Sequence, residues 1–154
     1  MVLGDSSSLT IPQIAAAAKV TPSTIYRRWG DLPTLLAEVG IAGLRIRPPA
    51  VDTCSLLGDL LVWAKEYLRM MDSGVGRSLV KNCFFSGSSF VWEQILSHEL
   101  QVIFDRARAR GEDVPTIDQV IDAVVAPVMY RVLVEGITPQ EAKVEKWVYR
   151  LLSY

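Results

Sequence analysis

The segment LTIPQIAAAAKVTPSTIYRRWGDLPTLLAEV, residues 9–39, contains two short helical patterns separated by a brief turn. The first pattern opens with a T-x-x-Q capping box formed by Thr10 and Gln13. The second opens with Thr21 as N-cap and Pro22 at the first helical position, where its fixed φ favours a helix. Two short helices joined by a turn of about three or four residues predict a helix-turn-helix.

The second helix of this pair presents two different faces. Ile25 and Trp29 are four residues apart and therefore share one face. That face is expected to pack on the first helix at Ile14, Ala15 and Ala18, because small side chains let two helices approach closely. The opposite face is polar. The candidate DNA-binding residues of the segment are Thr10, Thr21, Pro22, Ser23, Thr24, Tyr26, Arg27 and Arg28.

The polar groups of the second helix suit different parts of a DNA duplex. Hydroxyls near a helix N-terminus suit phosphate oxygens, which is the role expected for Thr21, Thr24 and Tyr26. Arg27 points away from the packed face, and an arginine can bind a guanine edge through two hydrogen bonds. Arg28 is expected to reach a backbone phosphate. The alternative is that the two arginines form a solvated helix end.

Charge supports this interpretation only weakly. The whole chain has a formal net charge of −1, so no global basic field indicates nucleic acid. Residues 1–47 carry five basic and three acidic side chains, a net +2, and the remainder carries eleven basic and fourteen acidic ones, a net −3. The positive end of the chain is thus the end with the helix-turn-helix pattern.

Helical patterns continue through the rest of the chain. Asp31 can cap a third helix over residues 32–46, and Arg47-Pro48-Pro49 forms a stiff linker after it. We therefore divide the chain into residues 1–47, a DNA-binding region, and residues 48–154, a second helical unit. Because no period-two alternation occurs, the predicted class is all-α. Further helices are expected over about 56–71, 77–85, 90–110, 116–134 and 139–152.

Composition and motifs argue against several classes of protein. No apolar stretch approaches the length of a membrane span, and the N-terminus lacks the pattern of a signal peptide. Cys54 and Cys83 form no disulfide framework and are expected to be buried, reduced thiols. No nucleophile–base motif, phosphate loop or metal-ligand spacing stands out. We expect a cytoplasmic protein that is not an enzyme and needs no cofactor or metal.

The opening segment resembles the DNA-binding region of TetR-family transcriptional repressors. A later stretch, VDTCSLLGDLL at 51–61, and VMYRVLVEG at 128–136 resemble a common C-terminal ligand-sensing domain of that family. Residues of the opening segment that match the family are Ile14, Ala15, Ala18, Val20, Thr21, Thr24, Ile25, Tyr26, Trp29, Leu35 and Leu36.

Two features depart from the usual TetR pattern. Only nine residues precede Thr10, so most of the family's usual first helix is expected to be truncated or absent. Lys19 stands where the turn usually has glycine, and Leu32 stands where many members have a lysine that meets a phosphate.

The resemblance implies a homodimeric repressor that reads a palindromic operator in double-stranded DNA and is released from it by a small effector. The alternative is a small-molecule-binding or interaction protein of the same fold that does not itself bind DNA. The candidate effector is hydrophobic or aromatic and mostly neutral, since the large side chains of the second unit are apolar. Candidate effector-binding residues are Trp63, Tyr67, Met70, Phe84, Trp92 and Met129, for each of which plain core packing is the alternative.

The last two predicted helices carry more apolar residues than one packed face needs. Val120, Val124 and Val128 are expected to face their own domain, and the other apolar face is expected to meet a second copy of the chain. The alternative is a monomer in which the helix over 90–110 covers that face. The candidate dimer-interface residues are Val125, Met129, Val132, Val144, Trp147, Val148 and Leu151.

Overall fold

The computed structural model describes residues 10–36, 38–39, 50–85 and 89–153, with side chains except those of 75, 79, 82–85 and 89–92. These ranges contain helices and turns and no strand, which confirms the all-α class. The expected boundary between residues 47 and 48 lies outside the described residues and stays a prediction.

Eight helices occur in the described ranges. The seventh, α7, spans residues 117–135 and consists of Ile117–Val120, a π-helical Ile121–Val125, Ala126–Met129 and a π-helical Tyr130–Glu135. The others are α1 (Ile11–Ala17), α2 (Pro22–Trp29), α3 (helical at 32–36), α4 (Leu56–Asp72), α5 (Gly74–Phe85), α6 (Ser89–Ala109) and α8 (Glu141–Leu151).

The main hydrophobic core lies among α4, α6, α7 and α8. Helix α4 packs against α5, α6, α7 and α8, so it forms the centre of this unit. The largest fully buried apolar side chains of the core come from five different helices, α4 to α8, so each of these helices contributes to the same core. They include Leu60, Met71, Leu100, Ile103, Phe104, Val124 and Val148.

A second, smaller core holds α1, α2 and α3 together. Ala15 is fully buried, and Ile11, Ile25 and Leu35 are buried around it. The expected packing of Ile25 on α1 is therefore present. Ala18 is exposed, contrary to expectation, because it is the C-cap of α1 and lies in the turn beyond the last helical residue.

Two helix starts differ from the sequence-based expectation. Helix α5 begins at Gly74, since Ser73 alone separates it from α4. The Ser73 hydroxyl donates to Met70 O (2.7 Å) and accepts from Gly76 N–H (2.9 Å). Helix α8 begins at Glu141 and not near residue 139, because the Thr138 hydroxyl donates to Asp72 of α4 and does not cap a helix.

The π-helical turns in α7 widen its buried side. Pro127 has no N–H to donate, so the regular hydrogen-bond ladder is interrupted in the middle of the helix. The π-helical stretch before it ends in two consecutive valines, Val124 and Val125, and both are buried. Adjacent residues of a regular α-helix point about 100° apart, so the shifted register helps both to reach the interior.

A polar junction, made by Thr53, Asp59, Arg110 and Glu112, joins the N-terminal end of α4 to the C-terminal end of α6. The buried Asp59 carboxylate accepts from the backbone N–H (2.7 Å) and hydroxyl (2.8 Å) of Thr53 and from the Arg110 guanidinium (3.2 Å). Glu112 accepts from Arg110 (2.7 Å) and from the N–H of Leu56 (2.9 Å). Burial alone would raise the pKa of Asp59, but these hydrogen bonds outweigh it and hold that pKa below its ordinary value.

The connection before α4 also carries Cys54, whose backbone has a positive φ of 64°. Its side chain is exposed, contrary to the expectation of a buried thiol, because it lies in the turn ahead of the first helical residue. The side chain of Cys83 lies outside the described residues.

Candidate nucleic-acid interface

The turn between α1 and α2 is tight and contains no glycine. Lys19 adopts a positive φ of 56°, the left-handed region that glycine reaches most easily, so lysine adopts here the backbone conformation for which glycine is usual. The N–H of Val20 donates to Ala15 O at 3.0 Å, which closes the turn. The side chain of Lys19 is exposed, so the turn adds a cation next to the start of α2.

Three hydroxyls cluster at the N-terminus of α2. Thr21 is the N-cap, and Pro22 occupies the first turn as expected. The Thr21 hydroxyl oxygen lies 2.9 Å from that of Ser23 and 3.0 Å from that of Thr24. All three side chains are exposed at the positive end of the helix dipole, where an anion is stabilised.

The outer face of α2 continues this exposed surface. Tyr26 is half exposed, and Arg27 is exposed and makes no ion pair with any described residue. Helix α2 itself contains no acidic residue. The inner face holds Ile25, which is buried, and Trp29, which packs against the small core. The two faces therefore divide as the sequence predicts.

Arg28 differs from Arg27 because it already has partners. Its guanidinium lies 4.8 Å from the centre of the Trp29 ring and 4.0 Å from the Glu38 carboxylate. The Trp29 indole N–H donates to Glu38 at 2.5 Å. Glu38 has no local sequence signal, since nothing in the spacing shows that a residue of the next helix returns to the end of α2.

Thr10 is the N-cap of α1, eleven residues before the first hydroxyl of the cluster at Thr21. Its backbone N–H and its hydroxyl each lie 2.9 Å from Gln13 Oε1, an arrangement typical of a capping box. Thus seven of the eight candidate DNA-binding residues lie on α2 and its N-cap, and the eighth opens the supporting helix. All eight are exposed.

The candidate effector-binding residues lie on several helices of the second unit. Trp63 and Tyr67 are buried on α4, with ring centres 5.7 Å apart and planes 7° from parallel. Met70 and Met129 are half-buried against the main core. The side chains of Phe84 and Trp92 lie outside the described residues. Burial raises the pKa of Tyr67 far above its ordinary value, so the phenol is neutral.

A carboxylate that the sequence analysis did not single out meets this aromatic pair. Glu99 on α6 accepts a hydrogen bond from the Trp63 indole N–H at 3.0 Å. Two surface clefts of about 340 Å³ lie elsewhere, one beside Phe104 and Arg108 and one beside Ala123 and Leu151. Neither is lined by any of the six candidate effector-binding residues.

The structure separates the candidate dimer-interface residues into two groups. Val125, Val132, Val144 and Val148 are buried within their own chain, because both helices belong to the main core, where α8 packs on α4 and α7 packs on α4, α5 and α8. They leave almost no surface for a partner, which corrects their place in the expected interface. Met129, Trp147 and Leu151 are partly exposed. The large exposed apolar residues of this region are Tyr130, Val134, Ile137 and Tyr149.

None of the helices in the described ranges combines the length and the apolar character that a membrane crossing requires.

Comparison with known proteins identifies the family. Residues 50–151 match the family described as "Tetracyclin repressor-like, C-terminal domain". This match covers more than half of the chain. The chain belongs to the TetR family. The resemblance seen in the sequence is thereby confirmed, and the TetR family is one of transcriptional regulators, not of enzymes.

Two curated relatives agree with the TetR assignment. The "Uncharacterized HTH-type transcriptional regulator YdeS" of Bacillus subtilis (strain 168) is 25% identical over 143 residues, covering 84% of this chain and 70% of the relative. The "HTH-type transcriptional regulator AqdR" of Rhodococcus erythropolis is 28% identical over 107 residues, covering 64% of this chain and 51% of the relative.

Proposed function

We propose that this TetR-family protein is a repressor that binds double-stranded operator DNA through α2. The observation that carries the proposal is the exposed, acid-free outer face of α2. That face combines a hydroxyl cluster at a helix N-terminus with two arginines near the C-terminal end, and the inner face is anchored on α1. A helix supported in this way can enter the major groove as a rigid unit.

The groups on α2 divide into two roles. Thr21, Thr24 and Tyr26 bind phosphates and set the register of the helix on the duplex. Arg27 has no ion-pair partner among the described residues, so its guanidinium is available to bind a guanine edge. Arg28 binds a backbone phosphate once it leaves Glu38. The protein acts in the cytoplasm, where the operator is accessible.

Two further parts of the proposal concern assembly and regulation. A homodimer held together by α7 and α8 presents two copies of α2 to a palindromic operator. A small hydrophobic or aromatic effector binds between the helices of the second unit, at the aromatic pair Trp63 and Tyr67. Its binding changes the distance between the two copies of α2. These parts rest on family membership and on the burial and stacking described above.

Arg27→Ala is expected to weaken operator binding by about 1–3 kcal/mol and to relax the preference at one base pair, because a bidentate contact to one base is lost. Arg28→Ala is expected to weaken binding to all sequences about equally and to reduce the salt slope by about one. The measurement is an electrophoretic mobility shift with upstream genomic DNA and with duplexes that carry single base substitutions.

Lys146→Ala serves as the matched control, since it removes an exposed cation from α8 and should leave both quantities unchanged. If Arg27→Ala left the ranking of the substituted duplexes as it is in the wild type, the base-reading role of Arg27 would be wrong. If the wild-type chain bound no duplex at all, the alternative of a ligand-binding protein without DNA affinity would be favoured.

Effector binding is expected to raise the melting temperature of the protein. A ligand at about 100 times its Kd stabilises the folded state by about 2.7 kcal/mol, which corresponds to a shift of about 5–10 °C. The measurement is a thermal-shift screen of neutral aromatic compounds. Met70→Ala should reduce the shift given by a positive compound, and Tyr149→Ala, an exposed change on α8, should not. Equal shifts in both variants would contradict the proposed site.

A further inference from the structure

Glu38 is helical, two residues beyond the 32–36 stretch of α3, and meets both polar groups at the C-terminal end of α2. One carboxylate oxygen accepts from the Trp29 indole N–H at 2.5 Å, and the other lies 4.0 Å from the Arg28 guanidinium. Arg28 in turn lies over the Trp29 ring at 4.8 Å. A single carboxylate thus contacts both Trp29, which packs α2 against the small core, and the neighbouring Arg28.

The two contacts of Glu38 differ in strength. The indole hydrogen bond is short and charge-assisted, so it holds the end of α2 at a defined place. The Arg28 and Glu38 side chains are 68% and 56% exposed, and an ion pair in water at this separation changes an equilibrium by only about two- to fivefold. A phosphate of the duplex can therefore displace the Glu38 carboxylate from Arg28 without disturbing Trp29.

We propose that Glu38 is a positioning residue with a second effect: it fixes the end of α2 through Trp29 and competes with DNA phosphates for Arg28. This rests on the proposed DNA-binding function. The competition lowers binding to all duplexes, because every phosphate backbone must displace the same carboxylate. Base contacts made by Arg27 then supply a larger share of the total affinity for the operator, and the discrimination between operator and random DNA stays the same.

Glu38→Gln tests the competition. The glutamine oxygen still accepts the Trp29 indole N–H, but the negative charge beside Arg28 is gone. We expect binding to a labelled random-sequence duplex, measured by fluorescence anisotropy from about 50 to 200 mM salt, to tighten about two- to fivefold. The slope of log K against log salt should become more negative by less than the roughly 0.9 of one full phosphate contact, because Arg28 no longer exchanges a carboxylate for the phosphate.

Glu141→Gln is the matched control. It removes the same charge from an exposed glutamate at the start of α8, which pairs with Arg69 of α4 at 3.2 Å. This pair is distant from α2 in the sequence, so the variant should leave affinity and salt slope unchanged. Adding Arg28→Ala to Glu38→Gln should abolish the gain, because the competed cation is no longer present.

The positioning effect has its own measurement. In ¹H–¹⁵N spectra of the full chain, the indole resonance of Trp29 should stay near its wild-type position in Glu38→Gln and move in Glu38→Ala, which removes the acceptor. Such a difference is not expected if Glu38 acts only through its charge.

The outcomes separate this inference from the proposed function. If wild type binds duplex DNA and Glu38→Gln binds with the same Kd and salt slope, the competition is wrong and the proposed function stands. An unchanged indole resonance in Glu38→Ala overturns the positioning role. If neither wild type nor Glu38→Gln binds any duplex, the proposed function is wrong and the competition is overturned with it.

Discussion

Arg110→Met is expected to lower the free energy of unfolding by about 2–4 kcal/mol, because it leaves the Asp59 carboxylate without its cationic partner. The Asp59 side chain has no exposed surface, whereas that of Arg110 is 25% exposed. The loss should therefore fall below that of a fully buried pair. Urea unfolding followed by circular dichroism at fixed protein concentration measures the change.

Arg108→Met provides the control for this variant. It makes the same chemical change two residues earlier on α6, where Arg108 pairs with the exposed Asp105 at 3.1 Å. An exposed pair of this kind contributes about 0–1 kcal/mol. If the two variants had the same stability, the polar junction would not be a principal contributor to the fold.

Acid should weaken the same junction. The folded-state pKa values of Asp59 and Glu112 lie below their ordinary values of 3.8 and 4.5, so folding favours the ionised forms. Their stabilisation is fully present above the ordinary values and is lost as the pH falls through the depressed folded values. The free energy of unfolding should thus decline below about pH 4.5, and less steeply in Arg110→Met.

Val134→Glu is expected to convert a dimer into a monomer. Along α7 the exposed positions Asp122, Ala126, Tyr130 and Val134 recur every four residues, and three of them are apolar. Val134 is 68% exposed in the single chain, so a second copy can cover it. A symmetric interface would bury two glutamates close to its axis, and the cost of removing both charges from water raises the Kd by orders of magnitude.

Light scattering at micromolar concentration measures the mass against the 17.1 kDa of one chain. Wild type should show twice that mass and Val134→Glu the mass of one chain. Val51→Glu is the control, since it places the same charge at an exposed valine ahead of α4 and should stay dimeric. A wild-type mass of one chain would rule out the dimer. Operator binding should fall in Val134→Glu, because a monomer brings a single copy of α2 to a single half-site.

Local chemistry determined much of this protein from the sequence alone. The caps at Thr10 and Asp31, the proline in the first turn of α2 and the inner face with Ile25 are all present in the structure. These features depend on residues within about four positions of each other, which is the range over which helix propensity and capping act. The exposed outer face of α2, and with it the candidate interface, follows from the same short-range pattern.

Only the tertiary structure decided which apolar residues face inward. Val125, Val132, Val144 and Val148 are buried in their own chain, because α4, α5 and the last two helices pack on one another in the main core. Periodicity shows that a helix has more than one apolar face, but it does not show which neighbour covers each face. The proposed interface is therefore formed by the exposed residues around Val134.

The contacts of Glu38, Glu99 and Arg110 were likewise decided by the tertiary structure. Arg110 meets Asp59 across 51 positions of sequence, and Trp63 meets Glu99 across 36. Exposed charged residues are common in any sequence, and nothing local marks the few that find a partner on another helix. Packing of the apolar faces fixes how the helices lie, and only then do these side chains come within hydrogen-bonding distance.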